Sequence, residues 1–161
     1  MSALESGSVR RVQAALVAAG SAARVVELAR TARSAADAAR ALGVEVGQIV
    51  KSLLFTVQGR PVLALVAGDR QCDPEGLARA LGGAGTAQRA DAALVREATG
   101  FAIGGVAPLG HPAPLPTLID PSLGRFARVW AAAGHPHCVF ETSLGELLAL
   151  TGGRAAAEIA A

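Results

Sequence analysis

Apolar residues at Val9, Val12, Leu16 and Val17 form the i, i+3, i+7, i+8 stripe of an amphipathic helix, and Gly20 ends it. Ser8 stands where an N-cap would, and Arg10 and Arg11 fall on the other face. A short β-rich run over residues 24–28 leads to Ser34-Ala35-Ala36-Asp37, the spacing of a capping box, whose helix ends at Gly43. Residues 49–57 and 61–67 are β-rich and joined by Gln58-Gly59-Arg60, the pattern of a hairpin. Asp73-Pro74-Glu75 opens a further helix that closes at Gly82-Gly83, and Asp91 caps another that runs up to Gly100. Beyond a glycine- and proline-rich stretch ending at Pro116, strands are predicted over residues 117–120, 125–132 and 138–141, and Ser143-x-x-Glu146 boxes a last helix. Strands interleave with helices but include hairpins. The pattern therefore predicts a mixed α/β (α+β) architecture, with a mixed sheet, in one domain over residues 1–161.

Composition narrows the function classes. Hydrophobic residues make up 52% of the 161 and charged residues 17%, which excludes disorder driven by charge. The longest large-apolar run, residues 62–67, is far below the ~20 residues that span a bilayer, so a soluble, cytoplasmic protein is expected. A net charge of +2 permits a polyanionic partner without requiring one. Two cysteines, Cys72 and Cys138, make no disulfide framework and are expected as reduced, partly buried thiols. The chain has 14 Arg against a single Lys, so Lys51 is either a position that a planar guanidinium cannot serve or the chance survival of one codon.

Strand alternation puts Lys51 on one face with Ile49, Leu53, Phe55 and Val57. An ammonium there must snorkel, pair with an acid or meet an anionic ligand, because burying it alone is costly. The second feature is the loop from Gly100 to His111. Its adjacent Gly104 and Gly105 allow positive φ and close approach to bare N–H groups, a construction suited to a carbonyl oxygen or a phosphate; the alternative is a tight turn needed for packing. The loop lacks the Lys-Ser/Thr of a P-loop and follows a helix rather than a strand, which argues against nucleoside-triphosphate hydrolysis and dinucleotide binding.

Four motifs in order, Val50-Lys51-Ser52-Leu53, the Gly100–His111 loop, Leu118-Ile119-Asp120-Pro121-Ser122-Leu123 and Trp130-Ala-Ala-Ala-Gly134, resemble the YbaK/EbsC family across about residues 20 to 160. These are free-standing aminoacyl-tRNA deacylases related to the editing domain inserted in bacterial prolyl-tRNA synthetase. The resemblance implies a curved, partly barrel-like mixed sheet surrounded by helices, no metal or organic cofactor, and hydrolysis of the ester between a wrong amino acid and the terminal adenosine of tRNA. It implies that Lys51 holds the phosphate or ribose end of that adenosine, that Gly104 and Gly105 orient the ester carbonyl through their N–H groups, and that Asp120 is the acid beside the pocket. Ser52, Gly100, Ala107, Pro108 and His111 are carried over as substrate-binding positions. Ala107-Pro108 and His111 depart from the Ser-Pro and Gln of the cysteinyl-tRNA branch, which brings the chain closer to the branch that removes alanine or another small residue. Partners implied are the acceptor end of aminoacyl-tRNA and prolyl-tRNA synthetase. Such a reaction needs positioning, a water and oxyanion stabilisation rather than a triad.

Other readings stand beside this one. His135-Pro136-His137-Cys138, with Cys72 or His111, has metal-capable groups, but alternation sends His137 and Cys138 to opposite faces and no Cys-x-x-Cys supports a zinc site. Cys72 lies at a helix start but beside Asp73, which opposes thiolate formation. Trp130 is expected in the core. Arg10, Arg11, Arg24 and Arg33 are weak candidates for tRNA phosphate contacts, against a solvated surface. A non-catalytic module that holds tRNA or a synthetase on the same fold is the remaining class.

Overall fold

The structure is a computed structural model describing residues 2–30, 32–83 and 85–161. Among these residues five α-helices, α1 (Gly7–Ala18), α2 (Ala35–Leu42), α3 (Pro74–Ala80), α4 (Ala92–Thr99) and α5 (Leu144–Thr151), are interspersed with strands β1 (Val26–Glu27), β2 (Ile49–Val57), β3 (Arg60–Ala67), β4 (Gln88–Arg89), β5 (Thr117–Ile119), β6 (Val129–His135), β7 (Cys138–Thr142) and β8 (Arg154–Ala155). The strands form one mixed sheet in the order β1-β7-β6-β2-β3-β5-β8, and β4 also pairs with β2. The mixed α/β class predicted from the sequence is the one observed.

Capping chemistry sets most helix ends where the sequence placed them. Ser34, Asp73, Asp91 and Ser143 each accept a hydrogen bond from a first-turn amide, and Gly43, Gly100 and Gly152 end their helices in the left-handed conformation. The first helix is an exception. Ser6, not Ser8, accepts from the Val9 amide, so the helix starts a residue before Ser8, and Val17 is left exposed. The strand expected from residue 125 begins at Val129, because Asp120 caps a 3-10 turn over Pro121–Arg125 that uses those residues first.

β2 and β3 form the hairpin, closed by Gln58 and Gly59 with φ of +53° and +77°, a pair whose twist suits two right-twisted strands. Both faces of these strands are covered. Val50, Leu54, Leu63 and Leu65 pack with α1, α4, α5 and Phe101 in the largest core cluster. Phe55, Val57, Val62 and Ala64 pack with Leu77 of α3 and Ile159 in a second. Coverage of both faces explains why β3 reads as a continuous apolar run rather than an alternating one. No helix among the described residues is long and apolar enough to cross a membrane.

Candidate active site

The central strand is paired incompletely along one edge, and the gap is the site. Gly68 donates to the Ile49 carbonyl, so alternation turns the backbone groups of Val50, Ser52 and Leu54 away from β3. Val50 meets β6 in register with Ala131, and Leu54 accepts from the Ala90 amide beside β4. Between these two partners the edge of β2 is open at Ser52. A cavity of about 270 Å³ lies there. One wall joins Ala35 and Ala38 of α2 to Ile49 and Trp130, which pack together in a third apolar cluster. The other combines Val95, Val106, Ala132 and Cys138 with the exposed Ile103 and Gly104 of the glycine loop.

Lys51 lines this cavity half-buried. Burial pushes its ammonium below the usual lysine range, opposed by Cys72 and Asp69 and reinforced by Arg89. Its ammonium donates to the Arg70 carbonyl. Arg70 is itself held: its guanidinium lies 3.6 Å from Asp120 and donates to the Ala160 carbonyl at 3.0 Å. Ser52 also lines the cavity, and its buried hydroxyl has no hydrogen-bond partner. An unpaired buried hydroxyl costs stability and fits a group that is completed by ligand.

The two glycines of the loop differ. Gly104 lines the cavity at φ +94°, and its amide makes no hydrogen bond among the described residues. Gly105 is buried, its amide donates to Ala102 at 3.0 Å, and a Cβ there would meet the Gly134 carbonyl carbon and His135 nitrogen at 2.9 Å. Gly104 thus has a free donor at the cavity, and Gly105 is the residue that lets the loop close onto β6.

Several residues carried over from the resemblance sit elsewhere. Asp120 is 1% exposed and does not line the cavity; its carboxylate accepts from the Ala67 and Ser122 amides at 3.1 and 2.9 Å, tying the end of β3 to the 3-10 turn. Gly100 is the C-cap of α4, and its carbonyl accepts from Arg11. Ala107 and Pro108 are buried, while His111 meets the Ala107 carbonyl at 2.8 Å and packs edge-on against Phe101; burial lowers its pKa. None of these four lines the cavity. Arg11 stacks over Phe101 and bonds the Gly100 and Gly110 carbonyls, and Arg24 bonds the Ala22 and Ala23 carbonyls, so both brace the backbone. Arg10 is exposed on α1 away from the cavity, whereas Arg33 lines it.

Trp130, expected in the core, is half-buried: it packs against the third apolar cluster and also forms part of the cavity wall. Arg89 was missed in the sequence: its strand has only two residues, too few for any periodicity, and register alone brings it to the cavity opposite Phe55. No group of three or more metal-capable side chains occurs among the described residues, and the His135 and His137 rings pack against each other at 5.1 Å. Both cysteines are free, and burial pushes each thiol up to about 11.

No carboxylate or imidazole lines the cavity among the described residues, and its charged groups are Arg33, Lys51 and Arg89. A cationic cavity with a free backbone donor suits an anionic ligand whose reacting group is held by backbone N–H rather than by an acid–base pair. The model of the aminoacyl-tRNA editing domain matches residues 29–150, and the chain belongs to that family of aminoacyl-tRNA deacylases. It is 45% identical over 69 residues, 43% of its length, to the proline–tRNA ligase of Maridesulfovibrio salexigens, of which the match spans 12%. It is 30% identical over 123 residues to EbsC of Enterococcus faecalis, a candidate Cys-tRNA(Pro)/Cys-tRNA(Cys) deacylase, covering 75% of this chain and 74% of that one. The crystal structure of a candidate trans-editing enzyme for prolyl-tRNA synthetase superposes with a TM-score of 0.88 at 47% identity, covering 94% of this chain and 96% of the other.

Proposed function

We propose that this deacylase acts in trans on tRNA for proline and removes alanine or another small non-cognate residue. The observation that carries this is the wall of Val95, Val106, Ala132 and Cys138 beside Ser52 and Gly104, an apolar wall of small and medium side chains on one side of the cavity. A compact apolar wall of this kind discriminates at about 1 to 3 kcal/mol per methylene, so it admits a methyl group and disfavours the larger cognate ring.

In this reading the terminal adenosine lies toward Trp130 and α2, with its ribose end at Lys51. The Gly104 amide and the Ser52 hydroxyl meet the ester. Water attacks the ester carbonyl, the Gly104 N–H stabilises the oxyanion, and the C–O bond to the ribose breaks, with its oxygen taking a proton to leave free amino acid and tRNA. With no carboxylate or imidazole on the wall among the described residues, backbone groups and the substrate itself organise the water. Lys51 supplies charge and position.

The test is release of free amino acid from alanyl-, seryl- and cysteinyl-tRNA for proline, with Lys51→Ala beside wild type. Turnover of the alanyl substrate that is lost in the variant supports the reading; exclusive turnover of the cysteinyl substrate overturns the alanine assignment. The likeness to EbsC, named for cysteinyl-tRNA, favours that second substrate. A folded protein that turns over none of the three refutes the catalytic reading in favour of a tRNA- or synthetase-binding module.

A further inference from the structure

Several of the 14 arginines are engaged by carboxylates or carbonyls. Arg11 and Arg24 bond backbone carbonyls, Arg40 pairs with Asp37, Arg70 with Asp120, and Arg125 forms a two-bond pair with Asp69. Among those that are not, Arg89 and Arg33 are set apart by their place in the fold. Both line the active cavity, and neither guanidinium has an ion pair or hydrogen bond among the described residues.

Arg89 is also held in place. The Ala90 amide fixes its strand to the Leu54 carbonyl, and its guanidinium sits 5.5 Å above the Phe55 ring centroid. Attraction to the ring uses none of the guanidinium's N–H donors in a hydrogen bond, which leaves them for phosphate, the group arginine binds with two parallel bonds. The pairing of Arg89 with Phe55 puts its side chain on the same face of β2 as Lys51, four residues or about 13 Å away along the strand. The two are close enough for the charge of Arg89 to disfavour that of Lys51. With Arg33 also on its lining, three cations and no acid line the cavity among the described residues. Cations kept together without a counter-carboxylate repel one another, and an anion relieves that repulsion.

We infer that Arg89 is a phosphodiester-binding residue of this cavity, gripping the backbone phosphate that joins the last two nucleotides of the substrate while Lys51 holds the terminal nucleoside. The inference rests on the deacylase reading for the identity of the substrate, and its test does not depend on turnover. The probes are adenosine, cytidylyl-(3′,5′)-adenosine and inorganic phosphate, titrated by NMR chemical shift into wild type, Arg89→Gln, Arg89→Lys and, as a control for the loss of one surface charge, Arg79→Gln on α3.

Wild type binds the dinucleotide about tenfold or more tightly than adenosine, the size expected for a charge-assisted bidentate contact. Arg89→Gln abolishes that preference, Arg89→Lys restores part of it, and Arg79→Gln keeps it in full. Unchanged adenosine binding in Arg89→Gln shows that the variant is folded. A preference that survives in Arg89→Gln, or that falls equally in Arg79→Gln, overturns the assignment. Inorganic phosphate binding that depends on Arg89 as strongly as dinucleotide binding, with no dinucleotide preference over adenosine, overturns the nucleic-acid assignment and leaves a free-anion site. An Arg89-dependent preference in a protein that deacylates nothing upholds the phosphodiester site and refutes the deacylase reading separately.

Discussion

Asp120 distinguishes a carboxylate that acts on substrate from one that holds the sheet end together. Its two oxygens accept from the Ala67 and Ser122 amides at 3.1 and 2.9 Å, and it is 1% exposed. Replacing it with alanine leaves the fully buried Ala67 amide without an acceptor and frees the half-buried Ser122 amide for water. Hydrogen bonds to a charged group contribute about 1.5 to 3 kcal/mol each, so Asp120→Ala costs about 3 to 5 kcal/mol. The Arg70 pair adds little, since at 3.6 Å and with Arg70 32% exposed it is screened by solvent. Asp120→Asn keeps one acceptor oxygen and turns an amide group toward the other donor, a loss of about 1 to 2 kcal/mol. Urea unfolding of the three proteins measures these differences, and turnover is then compared per folded molecule. If the carboxylate holds structure alone, Asp120→Asn keeps kcat within a few-fold. An Asn variant within 0.5 kcal/mol of wild type whose kcat falls a hundredfold would refute this placement and restore Asp120 to the chemistry.

The two loop glycines are expected to separate stability from function. Gly105→Ala pushes a Cβ into backbone and costs about 2 to 3 kcal/mol in a thermal melt, whereas Gly104→Ala strains φ by about 1 to 2 kcal/mol and mainly lowers turnover; equal melting points for the two would contradict the geometry. Because burial lowers the Lys51 pKa, its charge and the turnover that depends on it are lost on raising pH before a solvent-exposed lysine would titrate; a Lys51→Arg variant with residual activity lacks that alkaline limb, and an identical limb in both would remove Lys51 as its source. With both thiols raised to about 11, Cys72 and Cys138 react slowly with a maleimide at pH 8 in the folded protein and fast once it is unfolded, and rapid labelling of either in the native state would contradict their burial.

How much of this was legible in the sequence follows from the range of the forces involved. The caps at Ser34, Asp73, Asp91 and Ser143 and the Gln58-Gly59 turn were readable because each is decided by four or five neighbouring residues. The cap at Ser6 was not legible, because Ser6 and Ser8 both suit a cap and only the partner of the Val9 amide distinguishes them. The strands of two residues at β4 and β8 exist only through pairing with β2 and β5, so no local pattern announces them. The same boundary divides the site. Lys51 was found from its place on one long strand, and Gly104 from its neighbours, because strand alternation and glycine chemistry are local, whereas Ser52 came only through the family resemblance. What Gly105 does depends on Gly134, and what Asp120 does depends on Ala67; these are contacts across 29 and 53 positions. The arginines make the point most plainly. Arg11 and Arg89 are alike in sequence as exposed cations, yet one is spent on the carbonyls of Gly100 and Gly110 and the other is left with its donors free over the cavity. An arginine is read as a ligand-binding group only after the partners the fold gives it have been counted, and that count lies in the tertiary structure rather than in composition or charge.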